Sequence, residues 1–279
     1  MRAWVGDGCS GGLVAPQDAR VSVMDHGFTV GDGVFETVKV TPLGPFAISR
    51  HLDRLVASAS RIGAALPDLV HVREACEQVV AANLADVDEL ARLRITWTSG
   101  AAPLGSDRAD ADPTLVIAMM RQQPWPEATT AITIPRARNP HSVIAGAKST
   151  SYGENVVALM RAHQAGASEA LLGTTDGRLC EGTGSNVFVI LDGEVATPAL
   201  DCGCLAGITR QLVLEWFGGV ERDLPVEVLL EADEVFITSS TRDVHPVIRV
   251  ADRRWSDAGP RSAVLREEFV ARARTHRDP

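Results

Sequence analysis

The chain has 279 residues, 45% hydrophobic and 23% charged, with a formal net charge of −9. That is the composition of a globular protein with room for one or two cores. The acidic balance, with no arginine run interleaved with aromatics, argues against nucleic acid or an anionic membrane surface as a main partner.

Met1–Gly12 shows no apolar signal core, and no apolar run is long enough to span a bilayer, so the expected compartment is the cytoplasm. "GDGCSG" (6–11) has the spacing of a dinucleotide fingerprint. It lacks a long strand before it and a helix after it, so a hairpin turn is expected. "VFETVKV" (34–40) is strand-like in its β-branched and aromatic content. Apolar residues recur at helical spacing through 49–66, with Ser49 as the expected N-cap, and a second helix is expected over 72–84. "RLRITWTSG" and "PTLVIAMM" follow as strands. "RQQPWPEATTA" (121–131) reads as a linker. Asp176-Gly177 and Asp192-Gly193 mark two hairpins. "TRQLVLEWFGG" is a short helix stopped by Gly218-Gly219, and "DEVFITSST" is a strand ending in hydroxyls. The expected fold is α+β in two lobes: 1–120, a linker at 121–131, and 132–279. The five cysteines are odd in number and scattered, which argues against a disulfide framework. Cys202 and Cys204 lack a second Cys/His pair nearby, so no metal site is expected.

Among 27 basic residues only Lys39 and Lys148 are lysines. Arginine serves wherever a plain positive charge is needed, so Lys148, set among small residues in "GAKS", invites a chemical reason. An amine can lose its proton and attack a carbonyl; a guanidinium cannot. That suggests a Schiff-base lysine, for which pyridoxal phosphate is the usual partner. Such a site needs a phosphate cradle and an acid facing the ring nitrogen. Gly207, Ile208 and Thr209 open a helix, where free N–H groups and the dipole suit an anion. "TSST" (238–241) adds hydroxyls, Ser240 and Thr241 among them. Glu181 stands at the edge of an apolar strand. Tyr152, the only tyrosine, lies four residues after Lys148. Each has a plainer reading as a cap, a turn former, a surface acid or a core aromatic; their order along the chain carries the argument.

The chain resembles the fold-type IV (class IV) pyridoxal phosphate enzymes, a group that includes branched-chain and D-amino acid aminotransferases and 4-amino-4-deoxychorismate lyases. The resemblance runs nearly end to end, through "DHGFTVGDGVFETVKV", "HLDRL", "GAKS", "CEGTGSNVF", "LAGITR" and "ADEVFITSSTRDVHPV". It implies a smaller N-terminal α/β lobe and a larger C-terminal lobe carrying Lys148, with pyridoxal 5′-phosphate between them. It implies that Lys148 holds the cofactor and shuttles a proton. Glu181 would then pair with the pyridine nitrogen, and Arg54, Ile208, Thr209 and Ser240 would bind the phosphate. Tyr152 would lie near the cofactor's phenolic oxygen. It also implies a homodimer, with a loop around 25–33 closing the partner's pocket.

The branch within the family stays open. Phe35 and Thr37 look like pocket residues, and the threonine resembles the lyases, whereas Tyr152 resembles the branched-chain transaminases. D-amino acid members have arginines where this chain has His26 and Ser99. A substrate carboxylate would therefore need Arg94 or Arg242, with His26 and Thr241 as further substrate-side candidates. The leading expectation is transamination between a small amino acid and a 2-oxo acid. The alternative is release of 4-aminobenzoate and pyruvate from aminodeoxychorismate. A non-catalytic binding protein that kept the fold is disfavoured by the intact Lys148, Glu181 and Arg54 set.

Overall fold

The computed structural model describes residues 1–279, and its backbone resolves into two compact units. The first comprises Met1–Pro124, Ala147–Tyr152 and His276–Pro279; the second comprises Trp125–Gly146 and Gly153–Thr275.

The first unit begins with β1 (Ala3–Asp7) and β2 (Gly11–Val14), joined by the hairpin expected at "GDGCSG". Next come the short α1 (His26–Thr29), β3 (Gly33–Thr41) and β4 (Gly44–Pro45). They are followed by α2 (Ile48–Arg61), α3 (Leu69–Asn83), β5 (Ala91–Thr98) and β6 (Thr114–Arg121). The strands form an antiparallel sheet in the order β2-β1-β6-β5-β3-β4. Alternation along β3 and β5 sends Val34, Val38, Val40, Leu93, Ile95 and Trp97 into a core shared with Leu52, Leu55, Val72 and Val79 of α2 and α3. Phe35, Thr37 and Arg94 therefore lie on the other face, with Thr37 directly opposite Arg94.

Two details differ from the sequence expectation. Ser49 is not the cap of α2. The N-cap is Ala47, in a left-handed conformation (φ 53°), and the Ser49 N–H donates to Asp278 at the far end of the chain (2.9 Å). The first turn is thus capped by a carboxylate 229 residues away in the same chain. The second helix starts earlier than expected, because Asp68 accepts from Val70 N and His71 N.

The second unit carries β7 (Thr129–Arg138), α4 (Gly153–Gln164), β8 (Glu169–Thr174), β9 (Leu179–Gly182), β10 (Asn186–Leu191) and β11 (Glu194–Pro198). It continues with α5 (Ile208–Phe217), β12 (Val220–Arg222), α6 (Val228–Glu231) and β13 (Glu234–Ser239). Then come β14 (Asp243–Val250), β15 (Arg253–Arg254) and α7 (Pro260–Thr275). Both Asp-Gly hairpins form, and Gly218 caps the end of α5. Strands β10-β13-β14-β7-β8-β9 run in that order, and an Asn186–Glu181 pairing between β10 and β9 closes the path into a ring. Its filling is Leu171, Val187, Val189, Val235, Ile237 and Val247 with their neighbours. No helix is long and apolar enough to cross a membrane.

The division into units departs from the expected one at two places. β6 runs to Arg121 and β7 begins at Thr129, so the connection is 122–128 rather than 121–131. Residues 147–152, Lys148 among them, belong to the first unit rather than to the C-terminal one. The cause is strand pairing: Phe35 N donates to Lys148 O (2.9 Å), Thr150 N donates to Gly33 O (2.8 Å), and Val34 bridges Ser149.

Candidate active site

Lys148 is held by its backbone. Its N–H donates to Ser58 Oγ of α2 (3.2 Å) while its carbonyl takes the Phe35 N–H. Its amine, half-buried, stands 4.4 Å from the centre of the Phe35 ring. The Arg94 guanidinium lies 3.2 Å from the same ring, and Tyr152 meets it edge-on at 5.2 Å. An aromatic face attracts cations through its quadrupole, so Phe35 gathers an amine, a guanidinium and a phenol within one patch. Burial pushes Arg94 down to about 10, with Tyr152 and then Glu36 opposing it. At neutral pH the group is still a cation, and one short of water.

Arg54 belongs to a buried network that the sequence did not reveal. Glu36, completely buried on β3, takes a bidentate contact from Arg54 (Nε and Nη2, both 2.8 Å) and a third bond from His51 Nδ1 (2.7 Å). Burial alone would raise the Glu36 carboxyl. The Arg54 charge and hydrogen bonds, with His51, outweigh it and hold Glu36 far below the usual carboxylate range. Burial moves His51 the other way, downward, against the pull of Glu36, so it stays neutral at neutral pH.

In the second unit, Glu181 accepts the Leu205 N–H on Oε2 (3.0 Å) and meets Arg138 on Oε1 (3.2 Å). The turn after it is built on Glu169, a buried carboxylate that takes Thr183 N (3.0 Å), the Thr183 hydroxyl and Ser185 Oγ (3.1 Å). Asn186 joins three pieces. It pairs with Glu181 across the ring closure, faces Thr238 on β13, and donates to Leu205 O (2.8 Å). The loop entering α5 packs so tightly on it that a Cβ at Gly207 would sit 1.9 Å from Asn186 Oδ1. Only glycine lets that loop bring the N–H groups of Ile208 and Thr209 to the helix start. Arg210, one residue on, is buried and anchors the helix to Pro198 O (2.8 Å) and Glu221.

Three buried donors here have no partner: the Thr238 hydroxyl, Arg138 Nε and Arg210 Nε. Unsatisfied buried polar atoms are costly and rare, and they are what a site for a polar cofactor leaves behind. The helix start, the hydroxyls and the carboxylate fit a phosphorylated pyridine.

Ser240 and Thr241 are the central residues of the turn between β13 and β14, closed by Arg242 N donating to Ser239 O (3.2 Å). Arg242 stacks on Trp125 (3.7 Å) and contacts His245 Nδ1 (3.1 Å) and Thr129 Oγ1 (3.4 Å). Burial and the Arg242 charge push His245 down to about 4, so it faces the guanidinium uncharged. Trp125 Nε1 donates to Thr241 Oγ1 (3.4 Å). His26 has a local task. Its buried ring bonds Pro103 O through Nε2 (2.9 Å), tying α1 to the loop after β5. Within the first unit Lys148, Tyr152, Phe35 and Arg94 form one cluster, and Thr37 shares the face. Within the second, Glu181, Ile208 and Thr209 share the Asn186 framework.

Sequence reasoning did not single out Glu36, His51, Arg138, Glu169 or Asn186. Glu36 and His51 did lie inside the motifs "FET" and "HLDRL", and a charged residue at a core-facing strand position was the available signal for Glu36. Nothing in sequence marks Arg138 or Glu169.

Residues 33–250 match the family described as amino-transferase class IV. A putative branched-chain-amino-acid aminotransferase of Methanocaldococcus jannaschii is 34% identical, over 93% of both chains. A D-alanine aminotransferase of Listeria monocytogenes is also 34% identical, over 92% of both. Among solved structures, a fold IV transaminase from Curtobacterium pusillum superposes with a TM-score of 0.85 at 28% identity, over 98% of this chain and 99% of that one. A hypothetical aminotransferase from Mycobacterium tuberculosis in its PLP-bound form gives 0.84 at 27%, over 96% and 98%. The chain belongs to the class IV aminotransferases.

Proposed function

We propose that this chain transfers an amino group between a small amino acid, of D- or branched-chain type, and a 2-oxo acid, using pyridoxal 5′-phosphate held through Lys148. The observation that carries the reading is the Phe35 patch. It sets a nucleophilic amine and a partly desolvated guanidinium on one ring, the pair needed to hold a carbonyl cofactor and a substrate carboxylate. Relatives with aminotransferase names in both branches support it.

When bound, the cofactor ring supplies a sink for the electron pair left as the substrate Cα loses its proton. The residues of the chain do the rest. Lys148 would hold the cofactor through its amine and, once freed, would serve as the base that carries the substrate Cα proton. Glu181 would pair with the ring nitrogen, and Tyr152 would hydrogen-bond the phenolic oxygen. Arg54, the Ile208 and Thr209 N–H groups and Ser240 would hold the phosphate. Arg94 is the first carboxylate partner and Arg242 the second, with Phe35, Thr37 and Thr241 shaping the substrate side. His26 bonds Pro103 O through Nε2, which leaves Nδ1 buried without a hydrogen-bond partner as its substrate-side atom.

The test is incubation with D-alanine, L-leucine and (R)-phenylethylamine, each with 2-oxoglutarate, and separately with aminodeoxychorismate. Glutamate formation from D-alanine or L-leucine is expected. Rapid release of 4-aminobenzoate, with no transfer from any amine, would sink the transaminase reading in favour of the lyase.

The segment around α1 exposes Val21, Val23, Met24, Phe28 and Val30, with Phe28 76% accessible. A cluster of exposed apolar side chains marks a binding face. On the family reading its partner is a second copy of this chain. Light scattering should return twice the chain mass, and a monomer mass at micromolar protein would exclude the dimer.

A further inference from the structure

Arg138 has no role in any of the assignments above, yet the backbone goes out of its way to aim it. β7 runs in register with β8 as far as Ile134–Leu172, and the register then slips before Arg138–Thr174. Inside the irregularity Arg136 adopts a left-handed φ of 58°, a costly conformation for a non-glycine residue. Bulges of this kind re-aim side chains, often beside active sites. Past the bulge, the Arg138 guanidinium reaches Glu181 Oε1 (3.2 Å) through Nη2 and Glu154 Oε2 (3.4 Å) through Nη1. Its Nε is buried without a partner. Glu154 is mostly exposed and screened by water; Glu181 is mostly buried, so the second contact is the stronger.

The Glu181 carboxylate is thereby gripped on both oxygens, by Leu205 N–H on one and a guanidinium on the other. We infer that Arg138 is a positioning residue for the reaction: it fixes the Glu181 carboxylate towards the cofactor's ring nitrogen and biases their shared proton onto the nitrogen. The inference rests on the assignment of Glu181 to that nitrogen. The sign follows from charge. With the proton on nitrogen, the carboxylate would be negative and in direct contact with the guanidinium, so Arg138 would favour that arrangement over neutral ring and carboxylic acid. A protonated ring is the better electron sink, so the bias acts on the rate of Cα proton loss.

The experiment uses holoenzyme reconstituted with cofactor carrying 15N in the ring, and reads the nitrogen resonance near neutral pH. In Arg138→Gln and Arg138→Met the resonance is expected to move from the protonated towards the neutral pyridine position. kcat should fall about tenfold, the worth of one charge-assisted contact, with KM for the amino acid unchanged. Arg138→Lys, which keeps the charge, should recover most of both. Glutamine keeps a polar group and methionine removes it, so whichever folds, as judged by circular dichroism, decides the matter. A wild-type resonance in the Arg138 variants while Glu181→Gln shifts would overturn the inference and leave the Glu181 assignment standing. If Glu181→Gln also leaves the resonance unmoved, the assignment itself fails and the inference with it.

Discussion

Lys148→Ala, reconstituted with pyridoxal phosphate, is expected to lack the visible absorbance of the covalently held cofactor and to turn over at least about 10³-fold more slowly. Two functions go at once: the covalent anchor and the base that moves the proton. Lys148→Arg is the more informative variant. It keeps a cation over Phe35 at nearly the same place. A guanidinium stays protonated at any workable pH and cannot attack a carbonyl, so this variant should be as inactive as alanine. Borohydride reduction of the wild-type holoenzyme followed by peptide mass mapping should put the cofactor's mass on Lys148. Wild-type absorbance and turnover in either variant would show that the anchor lies elsewhere.

The second large effect concerns stability. Glu36 is completely buried and carries both Arg54 and His51. Glu36→Ala removes the counter-charge of a guanidinium that is itself mostly buried, and breaking such a pair from one side costs about 3–5 kcal/mol. The urea midpoint of Glu36→Ala should fall accordingly, and Glu36→Gln, which keeps the shape and one acceptor, should lose less. The pH dependence has a definite sign. The folded carboxyl titrates far below its unfolded value, so the unfolded chain binds the proton more readily. The contribution is complete above the unfolded value, about 4.3, and drains away as pH falls through the window below it. The midpoint gap between wild type and Glu36→Gln should therefore be widest above about pH 5 and narrow on acidification. A gap that stays constant down to pH 3 would mean that Glu36 is not the buried anion described here. Arg54 is thus bound into the fold of its own unit as well as assigned to the phosphate, and its removal costs stability in addition to cofactor affinity.

How far the sequence could be read varied with the range of the interaction. Helices α2 and α3, the Asp-Gly hairpins and the glycine stop of α5 follow from periodicity and from backbone conformations that few residues adopt, each contained within a single local stretch. The cap of α2 does not, because Asp278 supplies it from the other end of the chain. In the candidate site, Lys148 stood out because it broke the chain's preference for arginine, and Glu181 because a carboxylate ended an apolar strand. Glu36, Glu169 and Asn186 act by what they touch. Glu36 and His51 lie on different elements, β3 and α2, and Glu169 and Thr183 lie on opposite arms of a hairpin, so no period within one element links either pair. His26 shows the reverse case, a polar residue in a recognisable loop whose contact is a carbonyl 77 residues on.

The sequence by itself determined the family, and it singled out Lys148 and the kinds of residue proposed to act with it. Covalent chemistry at an amine, anion binding at a helix start and turns at glycine are properties of residue type and local order. Only the tertiary structure decided which unit owns Lys148, because one residue cannot announce that its carbonyl will join the edge of β3, more than a hundred residues earlier. It also decided that Arg54 is paired with a buried glutamate, and that Arg138 stands behind Glu181. Those facts depend on which charges are brought together away from water. There, pairing a charge or leaving it alone differs by kilocalories, whereas on the extended chain solvent screens the difference almost to nothing.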